Sequence, residues 1–225
     1  MRIDVKGTIV SSDEAWIYDW FGIENTSPKL IRDALARARG EPVDVYINSG
    51  GGDIFAGSEI YSELRAYKGP VALHVTGLAA SAASVIACAG PSDISPTGMV
   101  MVHNVSGSAA GDYHTMDKHS DVLRKANETI AAAYVEKTGM TLDAALKLMD
   151  EETWLSAADA VEKGLIDKVS EPAVRITAAC CTVLPAEVIT KMRNSIKPPE
   201  GEPADDLIKA KAKLKFYELK GRSLT

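Results

Sequence analysis

The chain has 225 residues and a mass of 24.0 kDa, with 46% hydrophobic and 25% charged side chains, which suits one globular domain with a short appendage and excludes a disordered or fibrous chain. A formal net charge of -6 and a pI near 5.3 argue against a duty on nucleic acid, because phosphate binding leans on clustered Lys and Arg. The opening MRIDVKGTIV has no long apolar stretch, and no run of about 18 apolar residues occurs anywhere, so neither a secretion signal nor a membrane span is expected and the setting is read as cytoplasmic.

Ile3, Val5, Ile9 and Val10 around Gly7 predict a first strand that begins almost at the terminus. Ser27-Pro28 opens a helix in which Leu30, Ile31, Ala34 and Leu35 follow helical spacing, with Gly40 as its C-terminal cap. Val43, Val45 and Ile47 alternate with Asp44 and Tyr46, a strand that enters the turn Asn48-Ser49-Gly50-Gly51-Gly52-Asp53 before a helix from Ile54 to Leu64. Val71 to Thr76 is a further strand. It enters Gly77-Leu78-Ala79-Ala80-Ser81 and a buried small-residue helix, Ala82 to Ala89, stopped by Gly90-Pro91. Met99 to Val102 is a fourth apolar run ending at His103, and Gly107 to Gly111 reads as loop. Repeated strand, turn and helix units predict an α/β fold with a mainly parallel sheet.

Tyr113 to Lys137 lacks Pro and Gly, and Met116, Leu123, Ala126, Ile130, Ala133 and Tyr134 recur near helical spacing, so one long amphipathic helix is expected. Thr141 to Met149 is a shorter helix. Ser156, with Asp159 three residues on, opens another that Gly164 closes before a strand from Leu165 to Val169. These elements place the core domain at 1–172. The remainder, 173–225, is a C-terminal extension with a Pro-rich linker at about 197–203 and a terminal basic helix, which is either solvated or a docking tail.

Cys88, Cys180 and Cys181 are odd in number and two are adjacent, which speaks against a disulfide framework. No CxxC or HExxH spacing occurs, and the four histidines are scattered, a poor pattern for metal. The two small-residue turns are more informative, because glycine lets backbone N–H groups approach a ligand or a reacting carbonyl. Ser81 would stand at a strand end and a helix N-terminus, where developing negative charge is stabilised. The same position also suits a plain helix cap. Ser84, one turn on, reads as a small packing residue.

A serine nucleophile requires a base. His74 lies inside a strand and reads as a packed or hydrogen-bonded core residue, while His114 and His119 fall on the long helix and read as solvated. His103 ends an apolar strand, where a parallel sheet presents functional side chains, and is the candidate base. A carboxylate should orient it, and Asp150, Glu151 and Glu152 compete for that role.

Several ordered motifs together resemble the Clp protease proteolytic subunit family, the ClpP-like serine peptidases. Tyr46-Ile47-Asn48-Ser49-Gly50-Gly51-Gly52 is similar to that family's strand and Asn-Ser-Pro-Gly-Gly turn, with Gly50 replacing Pro. Gly77-Leu78-Ala79-Ala80-Ser81 resembles its nucleophile motif and Met101-Val102-His103-Asn104 its histidine motif. Trp154-Leu155-Ser156-Ala157 through Asp167 resembles the segment after its acid. The resemblance spans about Ile3 to Val169. It implies a ClpP/crotonase-like α/β fold of repeated β-β-α units with a mainly parallel sheet and a protruding long helix.

Carried over position by position, the resemblance implies Ser81 as nucleophile, His103 as general base, and the N–H groups of Gly52 and Ala82 as oxyanion hole. Glu152 takes the slot two residues before Trp154, usually Asp, with Asp150 as fallback. The implied activity is endopeptidase cleavage of proteins or peptides through an acyl-enzyme, with no cofactor or metal, in a homo-oligomeric ring that the long helix can stack on another. The chain starts directly at its first strand, without an axial-loop segment of the kind that docks an unfolding ATPase, which speaks against dependence on ATP. Asp53 to Gly57, Ala79 to Ser84, His103-Asn104 and Glu152-Thr153-Trp154 look more like the phage and prophage head maturation branch. That branch implies capsid, scaffold or portal partners in a bacterial or phage-infected cytoplasm. Two rivals are a crotonase-like acyl-CoA enzyme and an inactive ring-forming assembly protein.

Overall fold

In the computed structural model, the described residues are 1–170. The extension at 173–225, its linker, its terminal helix and Cys180 and Cys181 lie outside them. In chain order the elements are β1 (Arg2–Ile9), α1 (Ala15–Trp20), β2 (Asn25–Thr26), α2 (Pro28–Ala38), β3 (Val43–Gly52), α3 (Ile54–Ala66), β4 (Val71–Ala80) and α4 (Ala82–Ala87). They continue with β5 (Ser92–Ile94), β6 (Met99–Val102), α5 (Tyr113–Thr138), α6 (Leu142–Asp150), β7 (Thr153–Ser156), α7 (Ala157–Glu162) and β8 (Lys168–Val169).

The strands form one sheet in the order β2-β1-β3-β4-β5-β8, with β6 joined to β4 and β7. Every pairing is parallel except β6 with β7. The fold is therefore α/β with a mainly parallel sheet, as the alternation of strand and helix patterns predicts. Helices carry the chain back between parallel neighbours, since such strands cannot be joined by tight turns.

Alternation decides which face is inside. Val5, Val45, Ile47, Leu73 and Val75 are buried, while Asp4, Asp44, Tyr46 and His74 on the intervening positions are half-buried. Each large aliphatic so buried contributes about 1.5–3 kcal/mol from removal of apolar surface from water. On that face α2 presents Ile31, Ala34, Leu35 and Ala38, and α3 presents Ile60 and Leu64. Local chemistry sets the helix starts: the Ser27 hydroxyl accepts from the Leu30 N–H, and the Asp53 carboxylate accepts from the Ala56 N–H at 2.7 Å. The C-terminal cap of α2 is Arg39, at φ 51, and not the expected Gly40.

Two sequence-read turns are strand continuations. β3 runs on to Gly52 and β4 to Ala80, with a register shift between Ile47 and Ser49 where the pair becomes Ser49 with Ala79. The sequence missed α1, β2, β5 and the four-residue β7. None of the six residues of α1 is buried, so no apolar stripe marks it, and β2 and β5 are two and three residues long, too short to show a period. The long helix α5 has 26 residues, and its buried positions, Ile130, Ala131, Ala133 and Tyr134, all lie in its C-terminal part.

Candidate active site

Ser81 joins β4 to α4 with φ 55 and ψ -125, a left-handed conformation that costs a non-glycine residue on the order of 1–3 kcal/mol. Its backbone is held on both sides: the N–H donates to Met101 O at 2.9 Å, and the carbonyl accepts from the Ser84 N–H at 2.9 Å. The side chain makes no capping hydrogen bond. Instead Ser81 Oγ lies 2.8 Å from His103 Nε2. Ser81 thus occupies the N-cap position of α4 without its hydroxyl acting as the cap.

The register explains the meeting. β4 pairs with β6 through Ala79 with Val100 and Ala80 with Met101, so the next residues of the two strands emerge at the same end. His103 follows Val102, the last residue of β6. After it, Asn127 of α5 secures the loop: its Oδ1 accepts from the Val105 N–H at 2.7 Å and its Nδ2 donates to Asn104 Oδ1 at 2.9 Å.

The glycine turn lies against the Ser81 turn. A Cβ on Gly51 would stand 2.7 Å from both Ala80 O and Ser81 Cβ, and 3.1 Å from Ala82 N, so this position has room for glycine alone. Gly52, at φ 149, abuts the backbone of Ile9 in the same way. Gly52, Ser81 and His103 all line a cleft of about 330 Å³, and the wall includes Phe55, Leu123, Ala126 and Ile130. Ala82 follows Ser81 directly and is fully buried.

The third member is not brought to the pair. Glu152, between α6 and β7, has φ 46, and its Oε1 lies 3.4 Å from Trp154 Nε1. Among the described residues no carboxylate oxygen is within hydrogen-bond reach of His103. Asp150 Oδ1 instead accepts from Asn104 Nδ2 at 2.8 Å. Yet β6 and β7 pair antiparallel through Met101 with Trp154 and Val102 with Thr153, so that Glu152 and His103 each adjoin the last pair of that register.

Two expectations change at the periphery. His119 is half-buried, lines the same cleft, and keeps its Nε2 buried without a hydrogen-bond partner beside Gly107. Helical periodicity could not reveal this, because the covering segment is a loop. Ser84 is more than a packing residue, since its hydroxyl bonds to Ser81 O at 2.6 Å and to the Tyr134 hydroxyl at 2.8 Å. His74 is hydrogen-bonded as expected, with Nδ1 2.9 Å from Asp93 Oδ2. Burial pushes the Cys88 thiol up to about 12, which leaves it protonated and inert at neutral pH. Among the described residues no group of His, Cys, Asp and Glu could hold a metal ion, and no helix is long and apolar enough to cross a membrane.

Comparison with known proteins agrees with this architecture. A ClpP1 mutant from Listeria monocytogenes has the same fold, with a TM-score of 0.62 at 22% identity, over 76% of this chain and 92% of that one. The ATP-dependent Clp protease proteolytic subunit 1 of Chlamydia muridarum is 35% identical over 135 residues, covering 58% of this chain and 70% of the relative. Its namesake in Protochlamydia amoebophila is 34% identical over 135 residues, covering 58% of this chain and 66% of the relative. The family model described as Clp protease matches residues 27–173, so the chain belongs to the Clp protease family.

Proposed function

We propose that the chain is a serine endopeptidase of the Clp type. Ser81 Oγ attacks the scissile carbonyl, His103 Nε2 takes its proton and returns it to the leaving amine, and water then cleaves the acyl-enzyme by the same route. The N–H groups of Gly52 and Ala82 stabilise the tetrahedral oxyanion. Glu152 orients His103 once its side chain leaves Trp154, a role favoured over Asp150 by the β6–β7 register and by the engagement of Asp150 with Asn104.

The observation that carries this reading is the 2.8 Å contact between Ser81 Oγ and His103 Nε2, made by a serine in a strained conformation. Its test is treatment with a serine-directed fluorophosphonate and mapping of the label by mass spectrometry. Label confined to Ser81, with peptide cleavage lost in Ser81→Ala, is the expected result. A well-folded oligomer that takes no label refutes the reading and favours an assembly protein without turnover. That rival draws support from one observation, the lack of a carboxylate at His103 among the described residues. A crotonase-like acyl-CoA enzyme would have no use for the Ser81–His103 pair.

For substrate and setting we propose phage or prophage head maturation in the bacterial cytoplasm, with capsid, scaffold or portal proteins as substrates. Support comes from the residues Asp53 to Gly57, Ala79 to Ser84, His103-Asn104 and Glu152 to Trp154. Co-expression with neighbouring portal and capsid genes should yield a truncated product that Ser81→Ala abolishes. The relatives are named as subunits of ATP-dependent proteases; for this chain we propose a homo-oligomeric ring, stacked through α5. Sedimentation would report the ring.

A further inference from the structure

We propose that Tyr134 and Ser84 are positioning residues that hold the Ser81 turn in its strained, reactive geometry through a one-way chain of hydrogen bonds from α5. This inference rests on Ser81 being the nucleophile.

The direction of the chain follows from counting protons. Ser84 Oγ stands 2.6 Å from Ser81 O, and a carbonyl only accepts, so the single Ser84 hydroxyl proton is committed there. Tyr134 must then supply the proton in its 2.8 Å bond with Ser84 Oγ. The sequence of donors is Tyr134 O–H to Ser84 Oγ–H to Ser81 C=O. Both side chains are inside the protein, Ser84 at 1% and Tyr134 at 3% exposure, so water cannot replace either one. Burial pushes the Tyr134 phenol up, against the opposing influence of its bond with Ser84, so it keeps the proton it donates.

The Ser81 carbonyl thus receives two donors, the Ser84 N–H at 2.9 Å and the Ser84 hydroxyl. With Ser81 N–H tied to Met101 O, both peptide groups flanking the strained α-carbon are clamped, as a left-handed serine requires. The same helix also holds the base. Asn127, about two helical turns before Tyr134 on α5, binds the Val105 N–H and the Asn104 side chain beside His103. One rigid helix therefore sets the distance between nucleophile and base from two of its own side chains.

Tyr134→Phe removes one hydroxyl and keeps the ring, and Ser84→Ala removes the other. Both should slow fluorophosphonate labelling of Ser81 and lower kcat by about 10- to 100-fold, the scale of a small misplacement of reacting groups, while KM stays unchanged. Ser84→Thr, which restores the hydroxyl, should recover part of the rate. Leu165→Ala, a buried change outside the cleft, supplies a variant of lowered stability whose labelling rate should match the parent. Labelling of Tyr134→Phe and Ser84→Ala at the parent rate overturns the proposal, as does a loss of rate in Leu165→Ala of the same size. If the parent itself takes no label, the peptidase reading fails first. Crystal structures of parent and Tyr134→Phe then judge the clamp alone: an unchanged Ser81 φ and an unchanged Ser81–His103 distance overturn it, and a relaxed Ser81 supports it.

Discussion

Gly57 of α3 faces Ala82 at the start of α4 so closely that an added Cβ would lie 2.8 Å from Ala82 Cβ and 3.2 Å from Ala82 O. The contact sets how near α3 comes to the peptide that follows Ser81. Because Ala82 is fully buried, a larger residue would press on the turn that Ser81 and Ala82 form.

Gly57→Ala should therefore impair two properties at once. We expect a loss of about 1–3 kcal/mol in stability from overpacking, read by urea denaturation, with a fall in kcat as the Ala82 N–H moves away from the oxyanion. A variant that is destabilised yet fully active would show that Ala82 N–H does not serve the reaction.

The register across β6 and β7 separates the acidic candidates. Glu152→Gln should lower kcat by on the order of 10²–10⁴-fold, since a neutral amide can neither hold the imidazole tautomer nor stabilise imidazolium. Asp150→Asn keeps an acceptor for Asn104 and should cost much less. The reverse order, measured by steady-state peptide cleavage, would transfer the role to Asp150.

Acid stability should depend on Asp167. Burial alone would raise its carboxyl, yet the bonds from Lys137 and from the Ser92 N–H, each at 2.7 Å, hold it below the ordinary carboxylate range. A group lowered in the folded state adds stability above its unfolded value, about 4 for Asp, and loses that contribution as pH falls through the lowered folded value. Asp167→Asn should be less stable than the parent at pH 7, with a gap that closes toward acid. The gap is modest, because the Asp167 side chain is half exposed and screened by water. A gap independent of pH in urea titrations would mean that charge is not its cause.

Packing makes a simpler forecast. Ile47→Ala, at a fully buried position of the central strand β3, should cost about 2–5 kcal/mol. Leu30→Ala, on the exposed side of α2, should stay within about 0.5 kcal/mol. Equal losses in urea denaturation would contradict the assignment of the inner face.

Residues that follow a local period were legible. Val43, Val45 and Ile47 alternate because one face of β3 meets helices, and Ile31, Ala34 and Leu35 recur because one stripe of α2 meets the core. The Ser156–Asp159 capping box is also present, since both partners lie within one helical turn. Periods fail where there is no buried face, as in α1, or where an element is too short, as in β2 and β5. His119 was misread, and the hydrogen bonds of the packed Ser84 went unseen, because their surroundings come from distant segments, Gly107 and Tyr134.

For the site, the types and order of Gly52, Ser81 and His103 were determined by the sequence alone, because small residues at strand ends and a histidine closing an apolar run are local features. Whether Ser81 caps a helix or faces an imidazole was not. Those residues stand 22 positions apart, and only the pairing of β4 with β6, together with the left-handed Ser81 backbone, converts that separation into a contact. The same holds for Glu152: the β6–β7 register ends one residue short of it, at Val102 with Thr153, while its carboxylate follows the indole of Trp154, a choice made by side-chain packing that no spacing along the chain encodes.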